Sequence, residues 1–296
     1  MPVTSIDLSI IIISYNTKQI TLNCLETIYQ SLKNTALTFE ILLVDNASKD
    51  GSQEIFKNLA SKHRNLRLIL NQKNLGFARA NNYAVESAYG THLLFLNSDV
   101  EVLNNAIEKM FSFYKQTPHA HFVGAKLLNK DMTPQYSAAP FYTLPVVFGA
   151  LFLRGDYWGL TRSSPNKTQK VDWVSGACIM TKKEYFVQVG GFDEGIFMYM
   201  DEVDLLYRAR QIEMRSYFYH DAHFIHLGSA SSKGKTYPIL QVYQGLLYFY
   251  KKHYSYPALI SLRIMLQLKA LISIIIGYII NNNYLKRTYE EAYKMV

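Results

Sequence analysis

The feature that most constrains this chain is a repeated rhythm in its first half. Short apolar runs at Leu8–Ile13, Glu40–Val44, Leu66–Leu70 and His92–Leu96 each give way to a polar turn. A helix-like stretch follows each turn: Thr17–Lys33, Ser52–Lys62, Phe77–Tyr89 and Asn104–Lys115. The runs begin at residues 8, 40, 66 and 92, so they lie 32, 26 and 26 residues apart. That is the length of a strand–helix–strand unit, and it predicts an α/β fold with a mostly parallel sheet and helices on both faces. Strands covered on both faces stay apolar throughout instead of alternating. Ligands of such sheets sit beyond the carboxyl ends of the strands. The polar clusters Tyr15-Asn16, Asp45-Asn46, Asn74 to Gly76 and Asn97 to Asp99 all fall there.

After Pro118 the rhythm stops. Pro134–Pro145 reads as loop, Asp156–Lys170 as a polar mobile loop and Val174–Thr181 as a strand. Gly190-Gly191 reads as a turn, Asp201–Gln211 as a helix, and Ser216–Tyr219 and Ala222–His226 as two short strands. From Ile239 onward the pattern is helical. A 49% hydrophobic and 18% charged composition over 296 residues excludes global disorder. Two cysteines, Cys24 and Cys178, form no disulfide framework and fit a reducing compartment. The net charge of +8 suits a membrane surface, a nucleic acid or an anionic substrate without choosing among them. Leu8–Ile13 is too short for the apolar core of a signal peptide. Pro257–Ile280 comes nearest to a membrane span, but Arg263, Gln267 and Lys269 interrupt it. Two readings stand: an interfacial amphipathic helix, with Lys286-Arg287 and the segment Tyr248 to His253 as its basic and aromatic fringe, or a terminal helix packed on the protein.

Several residues have the types that chemistry needs. Asp99, just after a strand, could hold a divalent cation, and His226 could join it through a neutral imidazole. Asp45 could accept a hydrogen bond from a pyrimidine imide; each aspartate is equally well placed to cap a helix. Asp193, Glu194, Asp201, Glu202 and Asp204 put five of the chain's 23 acids into twelve residues, and the last three directly follow the apolar Phe197 to Met200. Acids beside apolar residues are those whose pKa rises toward that of a working base. Like-charge repulsion from Asp201 and Asp204, offset by Arg208, is the expected cause at Glu202. Lys233 and Lys235 could meet phosphate.

Taken in order, these clusters resemble the family 2 glycosyltransferases of the GT-A fold, and within them the rhamnosyltransferase-like branch. The resemblance rests on Ser9 to Asn16, Val44 to Ser52, Asn74 to Asn82, Leu96 to Asp99, Trp173 to Ala177, Gly191 to Glu194, Asp201 to Leu205 and His226 to Gly228. It implies a Rossmann-like domain over residues 1–238, with a nucleotide-binding half to about 118 and an acceptor-side half over 119–238. Residues 239–296 would form a helical, membrane-associating segment. It implies a UDP- or dTDP-sugar donor, rhamnose among the sugars, with a divalent metal, Mn or Mg, and inversion at the anomeric carbon. Ser14, Tyr15, Asn16, Asp45, Asn74, Gly76, Arg79, Asn81 and Ser98 would bind the nucleotide sugar. Asp99 and His226 would hold the metal, with Asn97 standing where the strict motif has a first acid. Trp173, Gly176, Ala177 and Asp204 would lie on the acceptor side. The branch has Glu-Asp where this chain has Asp201-Glu202, so Glu202 takes the base position and Asp201 remains an alternative. The acceptor would be a saccharide or a lipid-linked glycan of cell-surface polysaccharide synthesis. The expected location is the cytoplasmic face of the cell membrane, with no nucleic acid as partner.

Two other functions compete. A sugar-nucleotide-forming nucleotidyltransferase would want a Gly-rich basic loop after the first strand, and Ser14 to Thr17 has neither Gly nor Arg. A non-enzymatic membrane-binding module has no need for Asp45, Asp99, Glu202 and His226 to converge.

Overall fold

The computed structural model describes residues 6–228 and 236–296, so Lys233 and Lys235 lie outside the described residues. In its first part β1 (Leu8–Ser14), α1 (Lys18–Ser31), β2 (Phe39–Asp45), α2 (Ser52–Lys62), β3 (Leu66–Leu70), α3 (Phe77–Glu86) and β4 (His92–Asn97) alternate as the rhythm predicts. β1 pairs in parallel with β2 on one side and β4 on the other, and β3 extends the sheet beyond β2. The chain therefore reverses direction across the sheet between β1 and β4. Register pairs Ser14 with Asp45 and Ile13 with Asn97, which brings three polar strand ends together at that switch point. Alternate strand residues enter two separate cores. Ile11, Leu42, Val44 and Phe95 pack on one face, and Ile10, Ile12, Ile41 and Leu43 on the other. Both faces are covered, hence strands without polar alternation.

The second part is mixed. β5 (Val100–Val102) and α4 (Ala106–Gln116) lead to β6 (Phe122–Leu128), then β7 (Pro134–Gln135), β8 (Ala138–Ala139), α5 (Leu144–Phe152), β9 (Gln169–Val171), β10 (Trp173–Val174) and β11 (Cys178–Lys182). α6 (Lys183–Val189), α7 (Asp201–Gln211) and β12 (Ser216–His226) follow. β11 inserts antiparallel between β4 and β6, and the main path runs β3-β2-β1-β4-β11-β6-β12-β5. The sequence segments differ from these elements in several places, and the loop read over Asp156–Lys170 ends in the start of β9. Val174–Thr181 is broken at Ser175 to Ala177, because that stretch leaves the sheet to meet α7. Ser216–His226 is one strand, with a register shift between Tyr219 and His223. The Pro134–Pro145 loop carries β7, β8 and the start of α5.

α8 (Thr236–His253), α9 (Tyr256–Ile279) and α10 (Asn283–Met295) close the chain. Leu262, Leu266 and Ala270 of α9 are buried one helical turn apart, and the two leucines share a core with Phe249 and Tyr250 of α8. α9 runs unbroken past Arg263 and Lys269, and by length and composition it could cross a membrane. Its other side is apolar and bare, with Ile264, Leu268, Ile275 and Ile279 exposed.

Candidate active site

The nucleotide side is built from the loops after β1, β2 and β3. Asp45 is fully buried. Its Oδ1 accepts from Ser48 N and from Gln53 Nε2, both at 3.0 Å, while Oδ2 has no partner. A buried carboxylate oxygen without a donor is costly and marks where a donor belongs. Asn16, held in the left-handed region at φ 54°, locks the two loops together. Its N donates to Ser48 Oγ (2.9 Å), and its Oδ1 accepts from Lys49 N (2.7 Å). Tyr15 presents its ring to solvent, whereas the Ser14 hydroxyl is buried in a cluster with Thr17 and Thr21.

Asn74 and Gly76 are fixed by a residue the sequence reading did not single out. Asn46 donates through Nδ2 to Asn74 Oδ1 (2.8 Å) and accepts at Oδ1 from Asn71 Nδ2 and Leu75 N (each 3.0 Å). Gly76 has φ 79°, and a Cβ there would lie 2.8 Å from the Phe197 carbonyl, so only glycine fits. Asn81 is buried, with Nδ2 donating to Phe77 O at 2.9 Å, and so braces α3 from within. Arg79 is largely exposed and pairs with Glu194 at 3.4 Å.

At the end of β4, Asp99 Oδ1 faces His226 Nε2 at 3.4 Å, and Asn97 Nδ2 lies 3.4 Å from the same nitrogen. Gln135 fixes the imidazole tautomer. Its Nε2 donates to Asn129 Oδ1 and His226 O, so its Oε1 must accept from His226 Nδ1–H at 2.6 Å. Nε2 is then the imidazole nitrogen that faces the Asp99 carboxylate and the Asn97 amide, and with that carboxylate it could hold a cation. Among the described residues no group of three His, Cys, Asp or Glu converges. Two protein ligands, completed by oxygens of a bound diphosphate, fit a hard divalent cation. Ser98 is buried next to Asp99, with its Oγ 3.4 Å from Thr17 Oγ1.

The acid cluster lies at the start of α7, beside the Gly176 turn. Tyr199 and Met200 hold φ values of 62° and 68°, a strained entry that sets the first turn of α7. Asp201 is buried. Its pKa is driven well up by desolvation and then by the neighbouring Glu202. Glu202 is half-buried and its Oε1 accepts from Gly176 N at 3.4 Å. Desolvation also raises Glu202, opposed by backbone N–H groups, including that of Gly176, and by the Arg162 charge. The cause is thus burial, and the nearby cation is Arg162, not Arg208 as the sequence suggested.

Asp204 lies apart from this pair. It is fully buried and engaged by Arg208 (2.7 Å), Lys252 (2.8 Å) and His253 (2.6 Å), so it joins α7 to α8 instead of facing an acceptor. Trp173 is buried and donates through Nε1 to Pro140 O (2.8 Å), with its ring 5.7 Å from that of Tyr142. Ala177 O accepts from Asn97 N at 3.0 Å, tying the Gly176 turn to the end of β4. The sequence reading named neither Gln135 nor Arg162.

Comparison with known proteins gives the family and the fold. The model of glycosyl transferase family 2 matches residues 9–190. A low-salt glycan biosynthesis hexosyltransferase of Haloferax volcanii is 27% identical over 212 residues, covering 69% of this chain and 62% of that protein. An N-acetylglucosaminyl-diphospho-decaprenol L-rhamnosyltransferase of Mycobacterium tuberculosis is 28% identical over 185 residues, covering 56% of this chain and 59% of its own length. The chain thus spans about three fifths of the length of these curated relatives. A mannosyltransferase from Pyrobaculum calidifontis, solved in complex with GDP-Man and Mn2+, shares the fold. Its TM-score is 0.60 at 16% identity, covering 96% of this chain and 73% of that one.

Proposed function

The chain belongs to glycosyl transferase family 2, and on that footing we propose that it is an inverting, metal-dependent glycosyltransferase. It moves a sugar from a UDP- or dTDP-sugar to a saccharide or lipid-linked acceptor in cell-surface polysaccharide synthesis. The rhamnosyltransferase among its relatives supports rhamnose as the sugar and a lipid diphosphate as the carrier of the acceptor. Residues 1–118 take the donor and 119–238 the acceptor. The bare apolar side of α9 rests on the cytoplasmic face of the membrane.

Each residue has a role that follows from its surroundings. Asp45 Oδ2 accepts the imide N–H of the pyrimidine, beside Tyr15 and the Asn16-braced loop. Asp99 and His226 hold the metal, which when bound offsets the charge of the leaving diphosphate. Glu202, at the Gly176 turn, takes the proton of the acceptor hydroxyl as that oxygen attacks the anomeric carbon.

The observation that carries this reading is the orphaned Asp45 Oδ2 on the same sheet edge as the Asp99–His226 pair. Calorimetric titration with UDP and ADP tests it. UDP should bind in Mn2+ or Mg2+, lose affinity in EDTA, and outcompete ADP. Asp45→Asn keeps an acceptor for Ser48 and Gln53 but turns an amide toward the imide, and should cost about 1.5–3 kcal/mol of UDP affinity. Equal binding of both nucleotides, unchanged by EDTA, would defeat the reading.

A further inference from the structure

Residues 153–162 fold back on themselves as a hairpin of turns and bends without paired strands. Gly149 O, in α5, accepts from Leu153 N (3.1 Å) and Gly155 N (2.9 Å), and Gly155 O accepts from Leu160 N (2.8 Å). Thr161 is buried and its hydroxyl donates to Asp156 Oδ1 at 2.5 Å. The base of the hairpin is therefore closed. Its tip is the reverse: Tyr157 is 72% exposed, Trp158 67% and Leu160 69%, with the two aromatic rings 5.0 Å apart and edge-on. Large apolar groups held out on a closed turn lose little entropy on burial, and amphipathic rings favour the bilayer interface.

The hairpin also reaches the acid cluster. Ser163 pairs with Ala138, Ala138 of β8 pairs with Val174 of β10, and β10 runs into Gly176, whose N–H meets Glu202. Arg162 thus stands at the root of the hairpin, two short strands from Glu202, and its charge is felt by both Glu202 and Tyr142. Arg162 forms no ion pair among the described residues, while Asp156, the nearest acid along the hairpin, is engaged by Thr161. α5 packs against α9, so the tip and the bare side of α9 belong to one body.

We propose that this hairpin is the acceptor dock: Tyr157, Trp158 and Leu160 enter the bilayer, and Arg162 meets the diphosphate of a lipid-linked sugar whose hydroxyl is presented to Glu202. The order along the structure matches the order along such an acceptor: apolar tip to lipid chain, cation to diphosphate, carboxylate to sugar. This inference rests on the lipid-linked acceptor and on Glu202 as base, both proposed above.

Trp158 is a built-in reporter, since the other tryptophan, Trp173, is buried and bonded to Pro140. With phosphatidylglycerol vesicles containing brominated phosphatidylcholine, the wild-type fluorescence should be quenched. Trp158→Phe should lose that quenching and still co-sediment with the vesicles through α9. Co-sedimentation without quenching overturns the dock and leaves the membrane placement standing; no co-sedimentation overturns the membrane placement and the dock with it. Vesicles doped with a polyprenyl diphosphate should bind the wild type about tenfold or more tightly than charge-matched vesicles without it, as expected of a hydrogen bond between charged groups. Arg162→Gln should remove that preference, and Arg162→Lys should keep part of it, with UDP affinity as the folding check for both. Equal affinity of the wild type for both vesicles overturns the role of Arg162.

Discussion

Two adjacent carboxyls, Asp201 and Glu202, compete for the role of base, and their surroundings separate them. Asp201 is buried and held protonated well beyond the ordinary aspartate range, first by desolvation. Glu202 is raised too, yet it is half-buried and turned to the Gly176 turn. A base raised by burial must still ionise to work, so kcat should fall with acid at a pH above the ordinary glutamate value of 4.5. Glu202→Gln should slow transfer roughly 10²–10⁴-fold and flatten that limb. Asp201→Asn should be mild, since burial already favours the uncharged form of this carboxyl and an amide keeps its shape. A dead Asp201→Asn with an active Glu202→Gln, measured by initial rates across pH, would move the base. The acid cluster after the apolar Phe197 to Met200 is visible in the sequence, but the choice of Glu202 within it came from the family resemblance, with Asp201 as the alternative. Asn46 and Gln135 were not visible. Their meaning lies in bonds to Asn74 and His226, partners 28 and 91 residues away, and an amide carries no signal until its partners are known.

At the level of elements, legibility followed periodicity. The strands β1 to β4 announced themselves because each is an apolar run ended by a polar turn. β6 is just as buried but went unread, since Gly124 and Lys126 interrupt its sequence. Both have tertiary reasons: a Cβ at Gly124 would lie 2.4 Å from Val174, and Lys126 is buried with Nζ 3.2 Å from His220. In the tail, the fringe expected at the membrane is partly used inside. Phe249 and Tyr250 are fully buried, and Lys252 and His253 hold Asp204. α9 has two sides that a mutational pair should separate. Leu266→Ala, on the buried side, should cost about 2–5 kcal/mol in urea denaturation. Ile275→Ser, on the bare side, should stay within ~0.5 kcal/mol. If membrane placement is right, only Ile275→Ser lowers vesicle binding at unchanged stability. Equal destabilisation by both would mean that the bare side is covered by another part of the assembly.

For the molecule as a whole, one buried carboxylate decides whether the tail and α7 act together. Asp204 lies on α7, two residues after Glu202, and its partners Lys252 and His253 end α8. Burial alone would raise its pKa. Hydrogen bonds from His253 and Lys252, with the Arg208 charge, reverse this and bring it down to about 2. A depressed acid stabilises the folded state above its unfolded value, near 3.8, and that contribution drains away as pH falls through about 2. The junction should therefore hold at neutral pH and loosen in acid, α8 leaving α7 before the sheet opens. Asp204→Asn would strand three basic groups around a neutral amide, and breaking a buried pair from one side costs about 3–5 kcal/mol. The variant should lose roughly that much stability at pH 7, and the loss should shrink toward pH 2, where the wild type has given up the same charge. Hydrogen exchange would show where: protection should fall first in α8 and at the start of α7, with β1 and β4 unaffected. A variant whose deficit stayed constant from pH 7 to pH 2 would mean that packing, not this charge, joins the tail to the acid cluster.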